Sequence, residues 1–136
     1  MTEGENTIAP RASTRVLVVD DDPDLAATIA DLLRELGFDA EVAQSGLSAL
    51  EKARTFCPQV ALLDIDLPDL DGYELARRLR LDETTAGATT FIAMTGYSER
   101  ALRDRSRAAG FAQHLVKPLE ISNLLSAVNT PRASRV

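Results

Sequence analysis

Several residues able to do chemistry stand directly after apolar runs of this chain. Asp20, Asp21 and Asp22 follow the apolar run VLVV, Asp64 and Asp66 follow VALL, Thr95 follows FIAM, and Lys117 follows HLV. Crowded carboxylates repel one another unless a hard cation neutralises them, and Mg²⁺ takes one or two carboxylates together with water and phosphate oxygens. A carboxylate is also a nucleophile toward phosphorus, with which it forms an acyl phosphate. Phosphoryl transfer needs charge neutralised around the equatorial oxygens, and a metal, an ammonium and a hydroxyl together supply that. The residue types therefore point to Mg²⁺-assisted phosphoryl acceptance, with Asp64 as the accepting group.

Groups so distant along the chain meet only if the fold carries them to one place. Arg15–Val19 is apolar after its first residue and does not alternate, as in a strand buried on both faces of a parallel sheet. Pro23 suits a first helical turn, Leu25, Ala26, Ile29, Ala30, Leu32, Leu33 and Leu36 follow at helical spacing, and Gly37 stops that helix. The same alternation continues as strand 40–43, helix 46–55 carrying Leu47, Leu50 and Ala53, strand 60–63 ending on Asp64, and helix 73–81 with Leu75, Ala76 and Leu79 inward. It closes with strand 90–94, helix 98–109 ended by Gly110, strand 113–116 and helix 119–128. Alternating strands and helices imply right-handed crossovers and a doubly wound, five-stranded parallel α/β sheet with five helices. In such sheets functional groups gather at the carboxyl ends of the strands, where Asp20–Asp22, Asp64, Asp66, Thr95 and Lys117 all fall.

Composition narrows the class of function. A chain of 136 residues suits one domain, expected over 15–129, with flexible tails over 1–14 and 130–136. Its formal net charge of −6 disfavours nucleic acid and anionic membrane as partners, and no apolar run reaches membrane-span length. No signal peptide is evident at the first residues, and the single Cys57 fits a reducing, cytoplasmic setting, where it is expected to be a small buried hydrophobe. One His and one Cys make a zinc site or a Cys–His nucleophile improbable.

The segments VLVVDDDPDL, LLDIDLPDLDGYEL, MTGYS and HLVKP, occurring in that order over about residues 15–128, resemble the signatures of bacterial response-regulator receiver (CheY-like) domains. The resemblance implies a flavodoxin-like fold, a phosphoprotein of a two-component or phosphorelay system, and Mg²⁺ as cofactor. It implies Asp64 as phospho-acceptor, Asp21 as direct metal ligand, Asp20 as ligand through water, and Asp66 as ligand through its backbone carbonyl. Thr95 would hydrogen-bond the phosphoryl group and Lys117 pair with it, supported by Gly96 and by a cis bond at Pro118. His114 occupies the position where the family often carries an aromatic switch residue. The implied donor is a phosphohistidine on a sensor histidine kinase or a histidine phosphotransfer protein. The implied output is a protein target on the face formed by the fourth helix, fifth strand and fifth helix, where Arg100, Arg103 and Arg107 make a basic stripe.

Other readings compete. Asp64-x-Asp66 also opens a haloacid-dehalogenase-like phosphatase, but that fold would place the nucleophile on its first sheet strand with acidic metal ligands downstream, whereas 63 residues precede Asp64 and no acidic pair follows Lys117 at a strand end. An EF-hand over Leu67–Arg78 fails because Leu67 and Arg78 cannot ligate calcium. A binding module with a degraded site is disfavoured because every expected site residue is present. The chain could equally be a receiver piece of a hybrid histidine kinase, and no output domain fits in its remaining residues. Asp22 and Asp24 are expected as capping and first-turn acids, and Asp69 and Asp71 as turn and helix-start residues. The Asp66 carboxylate is expected at the pocket mouth, with Tyr97 covering the same opening.

Overall fold

The structure, a computed structural model, describes residues 14–82, 89–96 and 107–129. Its strands are β1 (Arg15–Val19), β2 (Asp39–Ala43), β3 (Val60–Asp64), β4 (Thr90–Thr95) and β5 (Phe111–Val116). Its helices are α1 (Pro23–Glu35), α2 (Gly46–Phe56), α3 (Gly72–Leu81) and α4 (Ile121–Val128). All strand pairs are parallel, in the order β2-β1-β3-β4-β5. The helix expected over 98–109 lies outside the described residues except for its end, where residues 107 and 108 are helical and Gly110 follows at φ +97°.

Two cores explain why the central strands read as unbroken apolar runs. Val16, Val18, Val60, Leu62, Ile92 and Met94 face α1 and α4, meeting Ile29, Leu33, Leu124 and Val128. Leu17, Val19, Ala61, Leu63, Phe91 and Ala93 face α2 and α3, meeting Ala49, Ala53, Leu75 and Leu79. Alternate side chains thus enter opposite layers, and neither face of β1 or β3 is left to water. Each fully buried Val, Leu or Ile stabilises the fold by about 1.5–3 kcal/mol.

Local chemistry sets the helix ends. The Asp22 side chain caps α1 by accepting from the backbone N–H groups of Asp24 (3.1 Å) and Leu25 (3.3 Å), and Pro23 occupies the first turn, as expected. Asp71 caps α3 through the Glu74 N–H at 2.8 Å. Several local expectations are corrected. Leu36 is exposed because α1 ends at Glu35, and Leu47 is exposed because it sits on the outer side of the first turn of α2. Cys57 is exposed rather than buried: it ends α2 in the left-handed conformation (φ 51°), which turns it away from the sheet. Helix α4 begins at Ile121, two residues later than expected, because Glu120 is extended as its N-cap.

Candidate functional site

The order of strands makes neighbours of the carboxyl ends of β1, β3, β4 and β5. Asp20 leaves β1, its N–H still bonded to the Ala43 carbonyl of β2 at 3.1 Å, and it is 0% exposed. Asp64 is the last residue of β3 and is 3% exposed. The two carboxylates are held alike. Asp20 Oδ1 accepts from the Asp22 N–H and Asp64 Oδ1 from the Asp66 N–H, each at 3.0 Å. Both second oxygens face one ammonium: Lys117 Nζ is 2.7 Å from Asp20 Oδ2 and 3.3 Å from Asp64 Oδ2. The Lys117 N–H donates to the Thr95 carbonyl at 2.7 Å, and the Lys117–Pro118 peptide bond is cis.

Asp21 completes the acidic group. It is exposed, yet one carboxylate oxygen from each of Asp20, Asp21 and Asp64 lies within 4.8 Å of the others. This set offers only carboxylate oxygen, with no thiolate or imidazole, and so suits a hard cation such as Mg²⁺ rather than zinc. Thr95 is buried at the end of β4, one residue past the Asp64–Met94 pair of the β3–β4 ladder. Gly96 faces open space, and a Cβ there would meet nothing within 4 Å. Asp66 contributes its N–H to Asp64 while its side chain is exposed. His114 is half-buried on β5, opposite Ala93. Tyr97, Arg100 and Arg103 lie outside the described residues.

Electrostatics follow from this packing. Burial raises the Asp64 carboxyl above its ordinary range; the Asp66 N–H opposes this, the Asp20 charge adds to it, and the Lys117 charge works against it. Burial by itself would lower the Lys117 ammonium, but the hydrogen bond to Asp20 and the two carboxylate charges raise it overall. Lys117 therefore stays charged at neutral pH, while Asp64 is a carboxylate short of solvation. Such a group gains from any cation brought to it.

The loop after Asp64 is tightly seated. The Gly72 N–H donates to the Ile65 carbonyl at 3.0 Å, and a Cβ on Gly72 would come within 2.7 Å of the Asp64 carbonyl oxygen and 2.8 Å of Ile65 Cα. Both are backbone atoms and cannot swing aside. Gly72→Ala is expected to destabilise the fold by about 1–3 kcal/mol, the usual cost of overpacking, and to displace the Asp64 backbone. Chemical denaturation measures the first effect, and slowed phosphoryl incorporation the second.

Sequence reasoning missed one contact. Asp69, expected as a plain turn residue, reaches α2, where its Oδ1 accepts from the Gly46 N–H at 3.0 Å and its Oδ2 from the Leu47 N–H at 3.1 Å. Residue type gives no sign of it, because both partners are backbone N–H groups 22 and 23 residues away.

Comparison with known proteins now bears on this geometry. The profile of the response regulator receiver domain matches residues 16–129. The chain belongs to this family. The receiver domain shares 31% identity over 115 residues with the transcriptional regulatory protein PdtaR of Mycobacterium tuberculosis, covering 84% of this chain and 54% of PdtaR. It thus spans about half the length of several of the curated relatives it matches. Among solved structures, the chemotaxis protein CheY4 of Vibrio cholerae superposes with a TM-score of 0.79 at 26% identity, covering 85% of this chain and 95% of that one. The receiver domain of sensor histidine kinase PA1611 from Pseudomonas aeruginosa PAO1 gives 0.75 at 29% identity, covering 86% and 95%. That structure has a magnesium ion coordinated in its active-site cleft. Receiver domains are phosphoryl-accepting signalling domains of two-component systems rather than turnover enzymes, and this chain has their flavodoxin-like sheet. The phosphatase reading accordingly falls: among the described residues the acidic partners of Asp64, Asp20 and Asp21, follow the upstream strand β1. No helix among the described residues is long and apolar enough to cross a membrane.

Proposed function

We propose that this receiver domain, folded over residues 15–129, takes one phosphoryl group onto Asp64 from a phosphohistidine of a sensor histidine kinase or histidine phosphotransfer protein. The observation that carries the reading is the placement of Asp64, buried beside Asp20, with Asp21 within ligand distance and the Lys117 ammonium 3.3 Å from its Oδ2. Asp64 attacks phosphorus, the bond from phosphorus to the donor imidazole breaks, and the imidazole leaves with its electron pair. Asp21, Asp64 and the Asp66 carbonyl would hold Mg²⁺, with Asp20 acting through water. The ion supplies charge neutralisation to the transferring oxygens. Lys117, anchored on Asp20, keeps its ammonium at the carboxylate that reacts. Thr95 hydrogen-bonds the phosphoryl group, with Gly96 leaving room for it, and His114 on β5 follows the change as a switch. Output is through a protein partner on the face that includes β5 and α4, within the cytoplasm, without nucleic acid or membrane.

Treatment with acetyl phosphate and Mg²⁺, followed by intact-mass measurement, tests this directly. One labile phosphoryl group per chain is expected, and chelation of the metal should prevent its addition. Continuous hydrolysis of acetyl phosphate, with no bound phosphoryl, would be the behaviour of a phosphatase.

Asp66 tunes lifetime rather than competence. Its exposed carboxylate stands two residues from the acceptor, where it favours Mg²⁺ but also repels the dianionic acyl phosphate and orients an attacking water. Unit charges about 4 Å apart interact by ~1 kcal/mol in water, a factor of about five in rate. Asp66→Asn is expected to lengthen the phosphoryl lifetime and weaken Mg²⁺ binding, each about fivefold on that scale. Decay of labelled protein and metal titration of the unphosphorylated form measure the two.

A further inference from the structure

The acceptor loop, residues 65–71, has several hydrogen-bonded attachments besides its apolar packing, among them the Ile65 N–H to the Met94 carbonyl at 2.9 Å and the Asp71 cap of α3. At its start the Asp66 N–H is bonded to Asp64 Oδ1. At its end the Gly72 N–H is bonded to the Ile65 carbonyl. Between them, Asp69 spans 22 and 23 residues of sequence to grip two N–H groups in the first turn of α2. We infer that Asp69 is a positioning residue, whose carboxylate straps the acceptor loop to α2 and so holds the Asp66 carbonyl in place for Mg²⁺. The inference rests on the reading of the Asp64 site given above.

Three observations separate this from ordinary helix capping. First, α2 has its own cap, since Ser45 Oγ accepts from the Ser48 N–H at 3.1 Å. Second, Leu47 is exposed, so water can serve its N–H in place of a carboxylate, and the demand of the helix on Asp69 is confined to the buried Gly46. The loop, by contrast, gains a fixed point. Third, the junction is tight on its other side, because a Cβ on Gly46 would fall 2.7 Å from the Leu70 Cβ. The strap and this contact seat adjacent loop residues, Asp69 and Leu70, on one turn of helix.

The strap also differs in kind from the loop's first anchor. The Asp66 N–H is bonded to the carboxylate that reacts, and conversion of Asp64 to an acyl phosphate removes the charge which that bond relies on. Asp69 takes no part in the chemistry, and its two acceptors are unchanged when Asp64 is modified. Its carboxyl is held below the ordinary range chiefly by the Gly46 N–H, so both bonds stay charge-assisted across the neutral range. Asp69 is thus the anchor that keeps the loop in register in both states of the site.

The test compares Asp69→Ala, Asp69→Asn and Ser45→Ala in the full chain. Mg²⁺ affinity is measured by calorimetry without phosphorylation, alongside melting temperature and the rate of phosphoryl incorporation from acetyl phosphate. Asp69→Ala is expected to weaken Mg²⁺ binding roughly three- to tenfold, the scale of one ordinary net hydrogen bond, since the strap acts on the metal only through the loop. Asp69→Asn, which keeps one acceptor, should fall between it and the parent. Ser45→Ala removes a cap from the same helix end without touching the loop, so it should lower the melting temperature and leave Mg²⁺ affinity unchanged. Should Asp69→Ala unfold, Asp69→Asn makes the same comparison at nearly unchanged side-chain size. Parent-like Mg²⁺ affinity in the Asp69 variants, or an equal loss in Ser45→Ala, would overturn the inference and leave Asp69 a helix cap. A parent chain that takes up neither Mg²⁺ nor phosphoryl would instead overturn the site reading, and the inference with it; the parent arm shows that outcome separately.

Discussion

Asp64→Asn is expected to take up no phosphoryl group from acetyl phosphate and to fold at least as stably as the parent at neutral pH. The amide cannot form an acyl phosphate, so the first effect is all or none. The second follows from burial. Asn Oδ1 can keep the 3.0 Å bond from the Asp66 N–H, and Lys117 retains Asp20 at 2.7 Å. What disappears is a carboxylate whose pKa is raised, first by desolvation and further by the Asp20 charge. Its sign in stability is definite. A carboxyl with a raised folded pKa binds its proton more tightly in the native state, so the stability it contributes is complete below the unfolded value of 3.8 and is lost as pH rises through the raised folded value. The variant lacks that loss. Its stability relative to the parent should therefore increase as pH is taken from about 4 to 7, read from thermal melts in the absence of metal. A variant that accepts phosphoryl normally would remove Asp64 from the site.

Lys117→Ala should have the next largest consequences, and they differ with and without metal. The ammonium is the positive charge facing both Asp20 and Asp64 at 2.7 and 3.3 Å, and Asp20 has no exposed surface. Breaking a buried pair by removing one partner costs about 3–5 kcal/mol; because the Lys117 side chain is 24% exposed, about 1–3 kcal/mol is expected here. The pKa shift gives the pH window. Lysine's folded value is raised, so the parent's advantage is present at neutral pH and fades as pH rises through that raised value. Mg²⁺ brings positive charge to the same carboxylates, so saturating metal should restore much of the lost stability. The rate of phosphoryl incorporation should not recover in this way. Removing one preorganised charge-stabilising group slows such chemistry roughly a hundredfold. Denaturation curves at several Mg²⁺ concentrations, beside incorporation rates, separate the two roles.

Much of this was legible in the residues, for physical reasons. A strand buried on both faces cannot alternate, and VLVV and VALL do not alternate; that pattern indicated a covered parallel sheet, and β1 and β3 lie at its centre. Once the strands were placed, the rule that function sits at their carboxyl ends brought Asp20, Asp21, Asp64 and Lys117 together, and the structure holds them in mutual contact or within ligand distance. What could not be read is whatever depends on relative placement across the chain. Asp69 bonds to backbone N–H groups, which leave no trace in residue type. Leu36 and Leu47 match a helical period, but a period does not show where a helix stops or which side of its first turn meets the sheet. Cys57 is small and apolar enough for a core, yet its left-handed conformation at the end of α2 puts it in water. Strand β5 begins at Phe111, two residues before expectation, with an irregular register opposite Phe91 and Ile92.

The central claim is that one particular carboxylate, among several close together, carries the phosphoryl group. Reduction of the phosphorylated chain with borohydride converts an acyl phosphate at aspartate to homoserine, and peptide mass mapping then locates it. Homoserine at position 64 alone, present only when Mg²⁺ and acetyl phosphate were both supplied, is the predicted result. Homoserine at position 20, 21 or 66, or at none, would contradict it.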